Sequence, residues 1–243
     1  MMERPAPISP SPATADGGIA ADTDAELSRR AQLLATEHWS LLATRSMSWN
    51  EAFSRTGTFL STLSAGTVAL ALAGPAMSFG GAFALFALIV LSVTLFLGIA
   101  TFIRLVQVNN EDLYWVSGMN LIRGEYVRLS PGIEKSFVSG HTLDTEGVAR
   151  TFGAFNVTSN ISPLHMLITT PAIVAVISSA IGGVIAGLLV IQFGHDVIVA
   201  LIAGAIVFIG AVLVSISYGL RESKRYIARA IESRLPTSID SSE

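Results

Sequence analysis

The stretch LAGPAMSFGGAF, residues 72–83, combines one proline with three glycines and contains no charged side chain. Proline lacks a backbone N–H donor and glycine readily adopts turn conformations, so the stretch predicts a turn between two helices. It lies near the middle of the 48 residues between Arg55 and Arg104, which carry no ionisable group. As one helix these residues would extend about 72 Å, roughly twice the 30 Å of a hydrocarbon layer. The sequence therefore predicts two membrane-spanning helices, 57–77 and 82–103.

A second pair of apolar runs, 166–193 and 197–218, is separated only by residues 194–196. Each run is long enough to cross a bilayer, where a helix satisfies its own backbone hydrogen bonds. Ser162 followed by Pro163 is typical of a helix start, so the third helix is expected to begin there. A composition of 51% hydrophobic and 14% charged residues also favours a membrane protein. The predicted fold class is all-α: an integral membrane protein with four transmembrane helices as two helical hairpins, with cytosolic helical extensions.

The 15 basic residues lie in three segments: before the first span, between the second and third, and after the fourth. The positive-inside rule places these segments, and with them both termini, in the cytoplasm. The expected location is therefore the inner (plasma) membrane, with several spans. The expected segments are a disordered N-terminus (1–22), a cytosolic helical segment (23–55), a first transmembrane hairpin (56–103), a cytosolic helix and loop (104–163), a second transmembrane hairpin (164–219), and a basic cytosolic helix and tail (220–243).

Residues 24–44 have the spacing of one face of a helix. Ser48 and Glu51 then have capping-box spacing, which predicts that a new helix begins near Trp49 after a break at 45–48. The face is formed by Leu27, Ala31, Leu34, His38 and Leu41.

A further helical face follows the second span, with residues repeating at spacings of four and three. The second helix is therefore expected to continue as a cytosolic helix to Pro131, and residues 130–161 to be mainly loop. Such a face must be buried, either against segment 24–44 or against a neighbouring subunit. We name it the cytosolic seam; it consists of Trp115, Met119, Ile122, Tyr126 and Leu129.

Small residues recur at every fourth position of the first and third spans, a pattern typical of close helix packing in lipid. The packing partner is either another helix of the same bundle or a second subunit. The first span is also rich in hydroxyls, which either line a water-filled pathway or bond to the helix backbone and to neighbouring helices. The candidate polar lining is Thr58, Ser61 and Thr62. The helix-packing rows are Gly57, Ser61, Ala65, Ala69 and Ala73 in the first span, and Ser179, Gly183 and Gly187 in the third.

Chemical motifs are missing from the sequence. The predicted spans carry no charge, which disfavours proton-coupled transport and voltage sensing. The four histidines lack ligand spacing and cysteine is absent, so no metal site is expected. Without a nucleotide-binding loop or nucleophile elbow, we expect no enzyme, no catalytic residue and no cofactor. Glu111 and Asp112 are interpreted as a polar turn where the second span leaves the headgroups.

Two stretches carry a resemblance to known proteins: SWNEAFSRTGTFLSTLSAGTVALAL from Ser48, and FLGIATFIRLVQVNNEDLYWVSGMNLIR from Phe96. Over residues 40–130 the chain resembles a group of uncharacterised bacterial multipass membrane proteins. Its cytosolic helix, helical hairpin and long exit helix are also similar in arrangement to SLATT domains, two-span modules regarded as membrane effectors in bacterial conflict systems. This chain differs in having two hairpins. The second resemblance implies a pore-forming role.

Two functions from different classes fit these observations. The first is a non-enzymatic, homo-oligomeric channel-like or membrane-effector assembly with a cytosolic helical layer. The alternative is a membrane scaffold or accessory subunit of a larger complex. The expected partners are the lipid bilayer and further copies of the chain, with no nucleic acid. Anionic lipid headgroups could contact the basic residues Arg221, Lys224, Arg225 and Arg229.

Overall fold

The computed structural model describes residues 15–151 and 169–232. These residues contain helices and turns but no strand, so the all-α prediction is confirmed. Within the described residues, four helices are long and apolar enough to cross a membrane, as predicted. The elements are α1 (Ala15–Ala76), α2 (Gly81–Leu129), a 3-10 helix (Ile133–Ser136), α3 (Thr145–Thr151), α4 (Thr170–Gln192) and α5 (Val197–Glu232).

Helix α1 is continuous over 62 residues, so the predicted break at 45–48 is wrong. A capping-box spacing is also compatible with a helix interior, and here the flanking turns are anchored by packing. Arg45 pairs with Asp112, and Trp49 packs on the hydrophobic core. The backbone is helical from Ala15 onward, within the segment predicted to be disordered, and residues 1–14 lie outside the described part.

The chain reverses between α1 and α2 where the stretch 72–83 predicted a turn. The amide of Phe79 donates to the carbonyl of Gly74 at 2.9 Å, which closes the end of α1. Ser78 and Phe79 adopt the left-handed conformation, with φ of 52° and 49°. Gly74 does not adopt the turn conformation that the sequence predicted. It remains in the helix and is buried against the Phe79 ring.

Helix α4 begins at Thr170, with Pro171 in its first turn and Thr169 extended before it. The expected start at Ser162 and Pro163 lies outside the described residues. At the other end, Gly194 has φ of 81°, its amide donates to the carbonyl of Ile191, and the His195 amide donates to the carbonyl of Val190. This is a Schellman motif, which ends α4 and allows the chain to enter α5.

The described residues divide into two compact units. The first unit comprises 15–43 and 117–151; the second comprises 44–116 and 169–232. In the second unit α1 and α2 run antiparallel, because Glu51 pairs with Arg104 while Gly66 lies against Val90. The core cluster of that unit includes Ala52, Phe59, Leu105, Val108, Val174 and Ile181.

In the first unit, the α1 segment packs on the last turns of α2. The Leu41 side chain lies beside Gly118, and Arg30 binds Glu125 at 2.6 Å. Helix α3 is capped at its start by Asp144, whose carboxylate accepts a hydrogen bond from the Gly147 amide at 2.9 Å. That bond and one from the Thr142 hydroxyl lower the pKa of Asp144, with the hydroxyl making the larger contribution.

A buried asparagine links the elements of the first unit. Asn120 is fully buried, and its amide donates to the carbonyl of Thr142 at 3.0 Å. Its side-chain oxygen accepts from the Thr151 hydroxyl and from Arg123. These bonds join α2 to the loop before α3 and to the end of α3. In the described part of the segment predicted to be mainly loop, residues 130–151, a 3-10 helix and α3 alternate with turns.

Candidate functional site

The predicted small-residue row of the first span lies on two different sides of α1. Ser61 and Ala65 are exposed, and a Cβ built on the exposed Gly57 meets no non-local atom of the described residues within 4 Å. Ala69 and Ala73 are half-buried. A row of every fourth residue rotates by about 40° per step around a helix with 3.6 residues per turn, so it cannot stay on one contact face.

The side of α1 that is buried in the second unit follows spacings of four and three. Its glycine is Gly66, where a Cβ would lie 3.0 Å from the Val90 side chain. A fixed spacing of four among small residues does not pick out this set, whereas alternating spacings of four and three among all residues do. The set is Ala52, Thr56, Phe59, Leu63, Gly66 and Leu70.

The candidate polar lining sits beside the exposed small residues. Thr58 and Ser61 are exposed, and Thr62 is half-buried. The Thr58 hydroxyl donates to the carbonyl of Ser54 at 3.1 Å, which satisfies its proton but leaves its lone pairs available. We name the exposed residues Gly57, Thr58, Ser61 and Ala65 the α1 polar face.

The small-residue row of the third span lies against α5. A Cβ on Gly183 would lie 2.7 Å from the carbonyl oxygen of Gly204, and one on Gly187 would lie 3.3 Å from that of Ala200. Ser179 is buried, and its hydroxyl donates to the carbonyl of Ala175. The two backbones therefore approach closely, as small residues permit in lipid.

Charged residues of α1 and α2 form ion pairs in the second unit. Arg104 binds Glu51 at 2.8 Å and Glu111 at 3.0 Å, while Arg45 holds the buried Asp112. Glu111 and Asp112 are in the interior of α2, so their interpretation as a polar turn is wrong. Neighbouring residues on a helix point in different directions, and each carboxylate therefore meets a different arginine.

Another polar contact in the second unit joins α2 to α5. Asn110 is buried, and its side-chain oxygen accepts a hydrogen bond from the Ser223 hydroxyl at 3.0 Å. The ring of Phe102 lies 6.1 Å from that of Tyr218, centroid to centroid. These two contacts show that α2 and α5 run in the same direction here.

The cytosolic seam is buried to different degrees. Met119 and Ile122 are buried in the first unit, where Tyr126 and Leu129 are half-buried. Trp115 belongs to the second unit, and its indole nitrogen is buried without a hydrogen-bond partner among the described residues. Helix α2 continues to Leu129, as predicted for this segment, and ends two residues before Pro131.

The first unit contains a partly buried histidine on α1. The Nδ1 atom of His38 is buried without a hydrogen-bond partner among the described residues. Burial, and secondarily the positive charge of Arg123, lowers the pKa of His38. Both effects disfavour the protonated ring.

The basic residues of α5 are described only in part. Arg221 and Arg225 are exposed, and Arg225 lies 3.9 Å from Glu222. The side chains of Lys224 and Arg229 lie outside the described part of the structure. The described basic side chains are thus accessible to solvent or to lipid headgroups.

A cavity of about 390 Å³ lies between α2, α4 and α5 in the second unit. Its walls are mostly apolar, and the polar lining residues are Asn109, Thr169, Ser215 and Ser223. Within the described ranges, no group of three or more histidine, aspartate or glutamate residues is arranged to hold a metal ion.

Comparison with models of known protein families, with curated proteins and with solved structures finds no match for this chain.

Proposed function

We propose that this chain is a non-enzymatic membrane protein that assembles into a homo-oligomer with channel-like or membrane-effector activity. The α1 polar face carries the proposal. It lies on a helix that is apolar enough to cross a membrane, yet it exposes one glycine, one alanine and two hydroxyl side chains. Lipid chains offer no hydrogen bonds, whereas a second helix or a column of water does.

The absence of charge in residues 56–103 limits which solutes such an assembly would conduct across the membrane. Without a carboxylate or ammonium in the span, coupling to proton movement is disfavoured. We therefore propose a neutral pathway lined by Thr58, Ser61 and Thr62 from several subunits. Both termini are proposed to be cytoplasmic, with Arg221 and Arg225 near anionic headgroups of the inner leaflet.

The alternative, a scaffold or accessory subunit, is favoured by one specific observation. The hydroxyls of Thr56, Thr58 and Thr67 all donate to backbone carbonyls one turn earlier in α1. A hydroxyl with this bond no longer needs a partner for its proton, so an exposed threonine is tolerated against lipid. Under this alternative the α1 polar face binds another protein and conducts nothing.

Purified protein in liposomes tests the proposal through two readouts, oligomer mass and ion flux. The test variant is Gly57→Leu, and its matched control is Gly210→Leu on α5. A Cβ at either glycine meets no non-local atom of the described residues within 4 Å, so neither substitution crowds the single chain. We expect Gly57→Leu to lower both oligomer mass and flux, and Gly210→Leu to leave both unchanged.

The outcomes separate the two functions. Oligomers that form but show no flux under any condition would favour the scaffold. Protein that remains monomeric in lipid would contradict the homo-oligomer. If Gly57→Leu left oligomer mass and ion flux unchanged, the α1 polar face would not be the contact surface between subunits.

A further inference from the structure

We propose that the cavity between α2, α4 and α5 binds one long acyl chain of a membrane amphiphile, with the polar part of that molecule at the Asn109 and Ser223 end. The cavity measures about 390 Å³, within the range of roughly 300–1,000 Å³ typical of sites for small molecules. Its lining residues come from α2, α4 and α5 and are all in the second unit. The proposal is therefore separate from the α1 polar face.

The polarity of the lining changes along the cavity. On α2 the lining runs from Phe102 to the polar Asn109. On α5 it runs from Val212 to the polar Ser223, and Ser215 is a further polar residue near the Val212 end. These distances correspond to about 10 Å and 16 Å along a helix. The helices run in the same direction here, so Asn109 and Ser223 lie at the same end.

Helix α4 runs antiparallel to α2, and its polar lining residue lies at the same end of the cavity as Asn109. A Cβ on Gly98 of α2 would contact Ser178 of α4, whereas the Asn109 end of the cavity is lined by Thr169, at the start of α4. The apolar Val176 lies further from that end, two turns into the helix. Three of the four polar lining residues therefore lie at one end of the cavity.

The cavity extends across the ends of the apolar runs, because Arg104 lies between the lining residues Phe102 and Val106. Charge first appears after the second span at Arg104 and after the fourth span at Arg221. In a bilayer this level is the boundary between hydrocarbon and headgroups, where an amphiphile has its own polar junction. The apolar walls of the inner part offer water few hydrogen bonds, so an acyl chain is the occupant that suits it.

The cavity can be filled by substitution without disturbing packed atoms. Gly219 lines it, and a Cβ there meets no non-local atom of the described residues within 4 Å. Gly219→Phe would place a ring in the space of the ligand. Gly210→Phe is the matched control, on the same helix, with equal room and outside the lining. Ala172→Phe fills the cavity from α4 and gives a second, independent variant.

Photolabelling of the full chain in liposomes tests the proposal. One arm uses a fatty acid with a diazirine on its chain, and the other uses phosphatidylethanolamine carrying the same chain. We expect labelling to concentrate on Phe102, Val176 and Val212, and to be largely lost in Gly219→Phe and Ala172→Phe, because the added ring occupies the space of the acyl chain. Gly210→Phe should retain the wild-type labelling.

Each outcome is decisive. Labelling by either probe at the cavity supports the proposal, and the probe that labels identifies a free or an esterified acyl chain. Uniform labelling of outward residues such as Leu213 and Ile209, with no loss in the two cavity variants, would overturn it. So would equal loss in the control and the cavity variants. Oligomer mass, measured on the same samples, distinguishes failure of this proposal from failure of the proposed assembly.

Discussion

The guanidinium of Arg45 binds the carboxylate of Asp112 through two hydrogen bonds, although the residues are 67 positions apart. Only 4% of the Asp112 side chain is exposed, against 29% of Arg45. The carboxylate is therefore the more costly partner to leave without its counter-ion, because it cannot turn toward water. The pair fixes the register of α1 against α2 within the second unit.

Loss of this arginine should destabilise the protein strongly. We expect Arg45→Ala to lower the free energy of unfolding by about 3 kcal/mol, the cost typical of breaking a buried pair. Chemical denaturation in detergent micelles measures it. Arg55→Ala is the control, because Arg55 is 56% exposed and its pair with Glu51 is open to solvent. A change no larger in Arg45→Ala than in Arg55→Ala would contradict the importance of the buried pair.

Because α4 and α5 approach closely, we expect a single methyl group added at their contact to lower the stability of the protein. Gly204→Ala would place its Cβ 2.8 Å from the carbonyl oxygen of Gly183, so the backbones must separate. We expect a loss of about 1–3 kcal/mol, as for overpacking of a core. Gly210→Ala, on the same helix and without such contacts among the described residues, should be neutral or slightly stabilising. Thermal melting compares the two variants, and equal melting temperatures would reject the close contact.

Gly98 and Ser178 should show coupled effects. The Ser178 hydroxyl is buried with no hydrogen-bond partner among the described residues, so Ser178→Ala should be neutral or stabilising. Gly98→Ala should destabilise, since its Cβ would overlap that hydroxyl and lie 2.9 Å from the Phe59 ring. In the double variant the overlap with the hydroxyl is gone. A double-mutant cycle measured by denaturation should show a favourable coupling energy, and strict additivity would argue against the contact.

The continuity of α1 through residues 45–48 can be tested at Met47, whose side chain is 73% exposed. Met47→Ala keeps the helix and should change stability little. Met47→Pro removes a backbone donor inside a helix and should cost about 3 kcal/mol. Both variants lose the same exposed side chain, so their difference in unfolding free energy reports the backbone. Similar stabilities for the two would indicate that the chain is broken here after all.

His38 predicts a pH dependence of the first unit. Its pKa in the folded chain is lowered by burial and by Arg123, so the unfolded chain binds the proton more readily. The contribution of the neutral ring to stability is complete above the ordinary value of about 6.5 and is lost as the pH falls through the lower folded pKa. Thermal melting between neutral and mildly acidic pH should therefore show a slope that His38→Leu reduces.

The matched control for this experiment is His195→Leu, in the exposed turn before α5. It removes a histidine without touching the first unit and should retain the wild-type slope. An unchanged slope in His38→Leu would assign the pH dependence to other groups.

The sequence by itself determined the helical class and the number of apolar helices. The interval without charge between Arg55 and Arg104 and the two turn stretches at 72–83 and 194–196 suffice for this, because length and polarity decide which segments can cross a bilayer. It also determined the continuation of α2 toward Pro131. These are local properties, since they depend on residues close together in the chain.

Only the tertiary structure decided which side of each helix is buried and which residues meet. The row from Gly57 to Ala73 has a regular spacing in sequence, yet its first members are exposed while Gly66, outside the row, packs against Val90. Asp112 and Arg45 each look like ordinary surface charges until the two helices are brought together. The physical reason is that burial and ion pairing depend on a partner far away in the chain, which no local pattern specifies.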